Sequence, residues 1–524
     1  MRLALLPFVA VIAVGCSPGT QVCSASSCSG CCDSNGACQA GTFATQCGFG
    51  GAACQACSSG QCTAPGTCAV VLTGGGGGTG GGGGTGGGGG GGSDAGTDAG
   101  TDAGSDAGTD AGTDAGVSGF DVSFLDAAAR EALSLAIAVD RAQQRVGVAY
   151  YSPAGTMTMG TPDYFLKYVE WRQGAIVVMP ETIRTSQRIA GLSVAFDPVN
   201  GQPLVAHLGG GSGGSMFWLQ SDAVIARRTG ANTWADTVVA TTGDQVTCGN
   251  PVSDRGFLVG LWPGLAFDST NRQFLAYRDG HGGQFPIQDW ASSDVEVWAG
   301  APPVGECAAA GGVARTGVGG HLQLVIDGSD RVALAYDQML GSADQGGTNV
   351  LFQLRSQAGT WSTPGTLVSV SNTQLGPALA WDPVEGFGIA VVERASNQLG
   401  YLSSDAGVTW SALDPVFGAG SGGWYPGLAI DPVRHEPAIA FYVCSPAPGA
   451  NETACSVTDD ELRVTQRVAG QWREALIDRE GGFAPKLGFF ANGKRVVVYR
   501  LPPALEPDGG TLATAGALKI AVER

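Results

Sequence analysis

Lysine and histidine are almost missing from this chain of 524 residues, with four of each against twenty-four arginines. The histidines, at 207, 281, 321 and 435, are scattered without ligand spacing, so no metal centre is written locally and no metal is expected. Bases are outnumbered 28 to 46, giving a net charge of −18, of which −12 falls after residue 119. A surface of that sign repels phosphate backbones and excludes nucleic acid as a partner. Residues 23–68 hold no large apolar side chains beyond Phe43 and Phe49, which excludes a hydrophobic core there. No apolar run after residue 15 is long enough to cross a bilayer as a helix, and helical periodicity is nearly absent throughout. The glycine run at 74–92 has no strand before it and no helix after it, so it is no phosphate loop, and no cofactor is expected.

What is present begins with Arg2 and a twelve-residue apolar stretch, Leu3 to Val14, of the length of a signal segment's core. It ends in Ala13-Val14-Gly15-Cys16, which resembles the lipobox of bacterial lipoproteins, although Ala13 stands where that family prefers Leu. The resemblance implies that residues 1–15 are removed, that Cys16 is acylated, and that the membrane is a partner through the lipid. Ser17, rather than Asp, implies the outer membrane, with the chain facing periplasm or cell surface.

The fifteen cysteines divide into Cys16, ten from Cys23 to Cys68, and four at 248, 307, 444 and 455. Two even sets in an exported chain predict disulfides. Residues 16–73 are therefore expected to be a module held by crosslinks. Its two C-x-x-C pairs, Cys28/Cys31 and Cys54/Cys57, sit in a segment with no histidine and ten cysteines, where zinc would take nearby histidines or exactly four thiolates. In the later set, Cys444 and Cys455 enclose one loop and are expected to bridge, while Cys248 and Cys307 are expected to follow successive outer strands and tie neighbouring units. Residues 74–119 read as a tether, glycine followed by six [ST]-D-A-G copies, whose entropy and self-repulsion oppose any compact state.

From residue 120 an apolar pattern recurs seven times, among them Leu135–Asp140, Leu192–Asp197, Leu265–Asp268, Leu322–Asp327, Leu379–Asp382 and Leu428–Asp431, with Leu487–Phe490 as the last. The spacing is 49 to 71 residues, and a second apolar run follows each copy after a short polar turn. Further on, Trp234, Trp361, Trp410 and Trp472 each follow a small or Gly-rich turn. Short strands at even spacing with one aromatic per unit predict an all-β, seven-bladed propeller over 120–524. Phe120–Ile137 aligns without a gap on Trp472–Phe489, so the first strand of the domain is expected to complete the last blade.

Ser403-Ser404-Asp405-Ala406-Gly407-Val408-Thr409-Trp410 fits S-x-D-x-G-x-T-W and resembles the Asp box of sialidase-like (BNR-repeat) propellers. The resemblance implies a structural turn between third and fourth strands, with Ser403, Asp405, Gly407 and Trp410 as its members. It also implies that ligands meet the opposite face, where second strands are expected to end just before Tyr151, Leu208, Arg278, Asp337, Glu393, Tyr442 and Arg500. Sialidases clamp a substrate carboxylate with arginines and use a Tyr paired with Glu, and an Asp acid. Glu393, Asp337 and Tyr442 are the residues such chemistry would use here. The chain departs from that family in its blade number and in its nearest N-terminal motif, Arg188-Ile189-Ala190. Trp262 and Tyr425, just before first strands, offer aromatic faces to a sugar or peptide, with Arg278 and Arg500 as polar contacts. The expected function is a lipid-anchored, monomeric recognition protein for a protein or glycan; the alternative is a surface glycoside hydrolase. Gly210–Gly214 fits G-x-S-x-G, but a strand-like segment follows where a nucleophile elbow needs a helix.

Overall fold

The computed structural model describes residues 31–32, 38–39, 42–43, 46–47, 52–54, 60–63 and 67–70 of a first unit. Of the second unit it describes 119–129, 133–158, 161–187, 191–209, 221–241, 248, 259–280, 293–300, 305–310, 317–339, 348–371, 376–393, 398–418, 422–444, 460–501 and 516–524. The expected signal segment, Cys16, the expected tether up to residue 118, Gly210–Gly214, His281 and Cys455 lie outside the described residues. In the first unit, Cys31–Cys32 pairs with Cys38–Gln39 and with Ala52–Ala53, and Cys31 is bridged to Cys54. Cys32 is also in a disulfide, so crosslinks anchor this small sheet on both of its adjacent cysteines.

The second unit is a seven-bladed propeller. Blade one runs through Leu133–Asp140, Arg145–Thr158, Thr161–Arg172 and Ala175–Gln187 as an antiparallel meander. Five more meanders follow, with first strands at Leu192–Phe196, Val259–Phe267, Val318–Ile326, Ala378–Asp382 and Gly422–Ile430. Blade seven has Phe483–Phe489, Arg495–Leu501 and Ala517–Glu523, and its outer strand is Phe120–Asp126, paired antiparallel to Ala517–Glu523. The chain thus closes its own ring, leaving that blade no unpaired outer edge on its third strand. Each first strand contacts the next, and the seventh contacts the first, around a central axis.

Second strands such as Pro203–Gly209 and Pro437–Cys444 are buried at every residue, because neighbouring blades cover both faces. Outer strands such as Thr233–Ala240 are mostly exposed. The Asp of the repeat ends the first strand on the face away from the ligand-binding end expected above. There Asp197, Asp382 and Asp431 accept hydrogen bonds from the backbone of Val199, Val384 and Val433, and Asp268 and Asp327 do the same in their own turns. Burial raises the pKa of Asp197, Asp268 and Asp382, but hydrogen bonds to each outweigh it and hold them below the usual carboxylate value.

The tryptophans after the turns fasten blade to blade. Trp234 lies edge-on to Tyr168, Trp410 to Phe352 and Trp472 to Tyr401, at 4.8–5.5 Å between ring centres. Trp234 and Trp472 also donate their indole N–H to Glu181 and Asp414 of the preceding blade. The Ser403–Trp410 segment forms the turn between third and fourth strands of blade five. Its cap is not the expected one: the Ser404 hydroxyl accepts from Gly407 N at 2.9 Å, while Asp405 is exposed. Cys248 and Cys307 are bridged as expected, but Cys307 lies within the outer strand Glu306–Ala309 rather than after it. Cys444 is in a disulfide; Cys455, its expected partner, is outside the described residues.

Candidate binding mouth

At the end of the axis where first strands begin, all seven enter through the same backbone feature. Ser134, Gly191, Trp262, His321, Gly376, Tyr425 and Ala484, one per blade, have φ between +45° and +80°. Each starts a local pattern x-[P/L]-x-[L/I/V]: Trp262-Pro263-Gly264-Leu265, Gly376-Pro377-Ala378-Leu379, Tyr425-Pro426-Gly427-Leu428 and Ala484-Pro485-Lys486-Leu487, with Leu in the proline position in the other three. The ladder to the second strand skips register here, in blade six between Gly422, Trp424 and Gly427. A proline in such a bulge forfeits no ladder hydrogen bond.

Left-handed backbone costs a residue with a side chain about 1–2 kcal/mol, and glycine almost nothing. Five of the seven positions nevertheless carry side chains. The two glycines are dictated by their neighbours: a Cβ on Gly191 would lie 2.7 Å from Trp262 Cα, and one on Gly376 would lie 2.5 Å from His321 Cβ. Trp262 and His321 therefore occupy space that the adjacent blades cede. Their rings lie 5.4 Å apart at 51°, and His321 Nδ1 bonds Asp337 at 2.8 Å, which fixes the imidazole's orientation.

These residues surround a cavity of about 250 Å³ lined by Trp262, His321, Gln323, Tyr425, Lys486 and Arg500 among others. A second cavity of about 160 Å³, lined by first-strand residues, shares Gln323 and Lys486 with it. Among the described lining residues there is no carboxylate. Arg500 lies over Phe483 at 5.3 Å, and Phe483, Tyr442 and Tyr425 pack as an aromatic cluster whose closest pair is 4.0 Å apart. Lys486 is partly enclosed, and burial pulls its pKa below the ordinary lysine value.

The residues singled out from sequence are divided by this geometry. Trp262, Tyr425 and Arg500 line the cavity together. Arg278 does not: it is 1% exposed, donates to Ser293 Oγ at 2.6 Å and lies 5.1 Å from the Trp262 ring, so it supports the mouth from behind. Burial pulls the pKa of its guanidinium down, to about 9, against the opposing pull of Asp337. Asp337 and Tyr442 are likewise buried, and Glu393 bridges to Ser371 of the neighbouring blade; none of the three is in the cavity wall. Second strands do not end where expected: Arg278, Asp337, Tyr442 and Arg500 lie inside them. His321, Gln323 and Lys486 were not singled out as contacts, and the repeated x-[P/L]-x-[L/I/V] is the sequence signal that finds them.

No family model matches the chain, and no curated protein matches it. Solved structures with a similar backbone include the BP39L lectin from Burkholderia pseudomallei, at 13% identity over 74% of this chain and 98% of that one, with a TM-score of 0.45. Others are the GH93 α-L-arabinofuranosidase of Fusarium graminearum, at 10% identity over 77% and 98% with a TM-score of 0.41, and a PL25 ulvan lyase, at 12% over 75% and 94% with a TM-score of 0.44. Each likeness is one of backbone course alone.

Proposed function

We propose that the chain is a recognition protein, anchored by lipid at Cys16 and displayed on a tether, whose propeller binds a saccharide at the axial mouth. The observation that carries this reading is the ring of left-handed residues. Trp262, His321 and Tyr425 hold bulky rings in a conformation that glycine would adopt without cost, and, unlike the left-handed residues of the polar turns elsewhere, they carry large rings at one cavity, where stored backbone strain is a mark of a working site. Aromatic walls beside Gln323 and Arg500 suit a sugar's apolar faces and hydroxyls, and the cavity fits one or two sugar rings rather than a broad protein face. Arg2, the apolar stretch and Gly15-Cys16 support the anchor. The Ser403–Trp410 turn supports kinship with Asp-box propellers, with Ser404 in the capping role. Hydrolysis by paired carboxyls finds no such pair in the described wall of the mouth.

The test is titration calorimetry across a panel of oligosaccharides, with Trp262→Ala and Tyr425→Ala alongside. Each variant is expected to weaken binding about tenfold, the scale of one stacking contact plus its buried area. Folded variants that bind as the parent does, or a parent that binds no saccharide, would refute the assignment.

A further inference from the structure

We propose that the saccharide bound at this mouth is anionic, its carboxylate or sulfate seated on Lys486; the inference rests on reading the mouth as a saccharide site. Two positions after each left-handed residue, six blades carry Ala136, Ser193, Gly264, Gln323, Ala378 and Gly427, all uncharged and mostly small. The seventh carries Lys486, one of only four lysines in the chain. Of the others, Lys167 pairs with Asp126, Lys519 pairs with Asp478, and Lys494 is exposed in a turn. The Lys486 side chain has no hydrogen bond or ion pair among the described residues, and it lines both axial cavities.

A charge placed where water is displaced, with no counter-charge, costs free energy that a bound anion recovers. Composition does not explain the placement, because the propeller is strongly acidic while the described wall of its mouth holds Lys486, Arg500 and His321 and no carboxylate. Asp337 stands behind His321 and is 1% exposed, so its charge is directed at the imidazole. The lowered pKa of Lys486 agrees with an ammonium lacking a partner. An ammonium presents a point charge, which a carboxylate or a sulfate satisfies equally.

The full-length protein is titrated with a trigalacturonate, its carboxyl-reduced neutral counterpart and a sulfated galactose trisaccharide. An acidic probe is expected to bind about tenfold or more tighter than the neutral one, the scale of one charge-assisted hydrogen bond, and to weaken as salt is added. Which acidic probe binds better identifies the group. Lys486→Met should erase the preference, Lys486→Arg should retain it, and Lys486→Met should raise the Tm of the unliganded protein. Equal binding of neutral and acidic probes, or a preference that survives Lys486→Met, overturns the proposal. Neutral binding that is lost in Trp262→Ala but shows no acidic preference removes this inference and leaves the saccharide site standing. No binding of any probe to folded protein removes both.

Discussion

Replacing Asp478 by alanine tests what closes the blades on one another. Its carboxylate ends the outer strand of blade six and accepts from the Tyr499 hydroxyl and, at 3.0 Å, from the Lys519 ammonium of blade seven. The same group recurs one blade on, where Asp126 ends the closing strand and accepts from Tyr150 and, at 3.4 Å, from Lys167. The two differ in burial: the Lys519 side chain is 6% exposed and that of Lys167 is 19%. Removing Asp478 strands a buried hydroxyl, at about 1–3 kcal/mol, and a buried ammonium, at about 3–5 kcal/mol; the two overlap, so about 4 kcal/mol is expected. Glu480, 3.4 Å from Lys519, is 68% exposed and offsets little. Lys167 turns more readily to water, so Asp126→Ala should cost about 2 kcal/mol. At roughly 2.1 cal/mol/K per residue over about 400 residues, these losses are Tm shifts of about 5 °C and 2 °C. Differential scanning calorimetry reads both, and Lys519→Met added to Asp478→Asn should return most of the larger loss. Two alanine variants melting within a degree of the parent, or Asp126→Ala proving the worse, would refute the reasoning.

Two further outcomes follow from the backbone and from the turn carboxylates. Gly376→Ala and Gly191→Ala should each cost about 2 kcal/mol or more in urea and displace His321 or Trp262, whereas Gly174→Ala, at φ +94° with nothing within 4 Å, should cost only the left-handed backbone penalty of about 1 kcal/mol. Equal losses at all three would show that space at the mouth is not what selects glycine. Asp197, Asp268 and Asp382 have folded pKa values below the unfolded value of about 3.9, so their contribution is complete above that pH and is lost as pH falls through the folded values. Tm should therefore hold steady from pH 7 to about 5 and fall below about 4, less steeply in Asp268→Asn; a fall beginning above pH 5 would assign the loss to other groups.

The ring was legible because its signals are physical periods. Alternation, turn chemistry and a recurring aromatic gave seven units, and the alignment of Phe120–Ile137 on Trp472–Phe489 foretold the closing strand. That alignment matched Asp126 to Asp478, and the structure gives both the same Tyr and Lys neighbours. The mouth was only half legible. Charged residues near the ends of second strands read as exposed, yet blades cover both faces to the strand's last residues, so Arg278 and Asp337 were drawn into the packing. Nothing in the identity of Trp, His or Tyr announces a left-handed backbone, so the feature that shapes the mouth was invisible residue by residue. Within the Ser403–Trp410 turn, Ser404 and Asp405 both suit a turn cap, and it is the serine, at the strand's end, that accepts from Gly407 N.

The glycines explain why the mouth is uneven. Gly191 stands beside Trp262 and Gly376 beside His321, so a large ring on one blade requires a bare backbone on the next. Seven strand starts meeting on one axis cannot all carry bulky side chains, and the ring spends its space on a few. Trp262 and His321 are adjacent and share Arg278 and Asp337 as buried supports, while Tyr425 is backed by Tyr442 and Phe483 two to three blades away. The cavity between these groups is bounded on the blade-seven side by Arg500 and Lys486. An aromatic surface on opposite sides with cations on a third is a polarised site, able to fix the orientation of an asymmetric ligand where seven equivalent positions would leave it free to rotate about the axis.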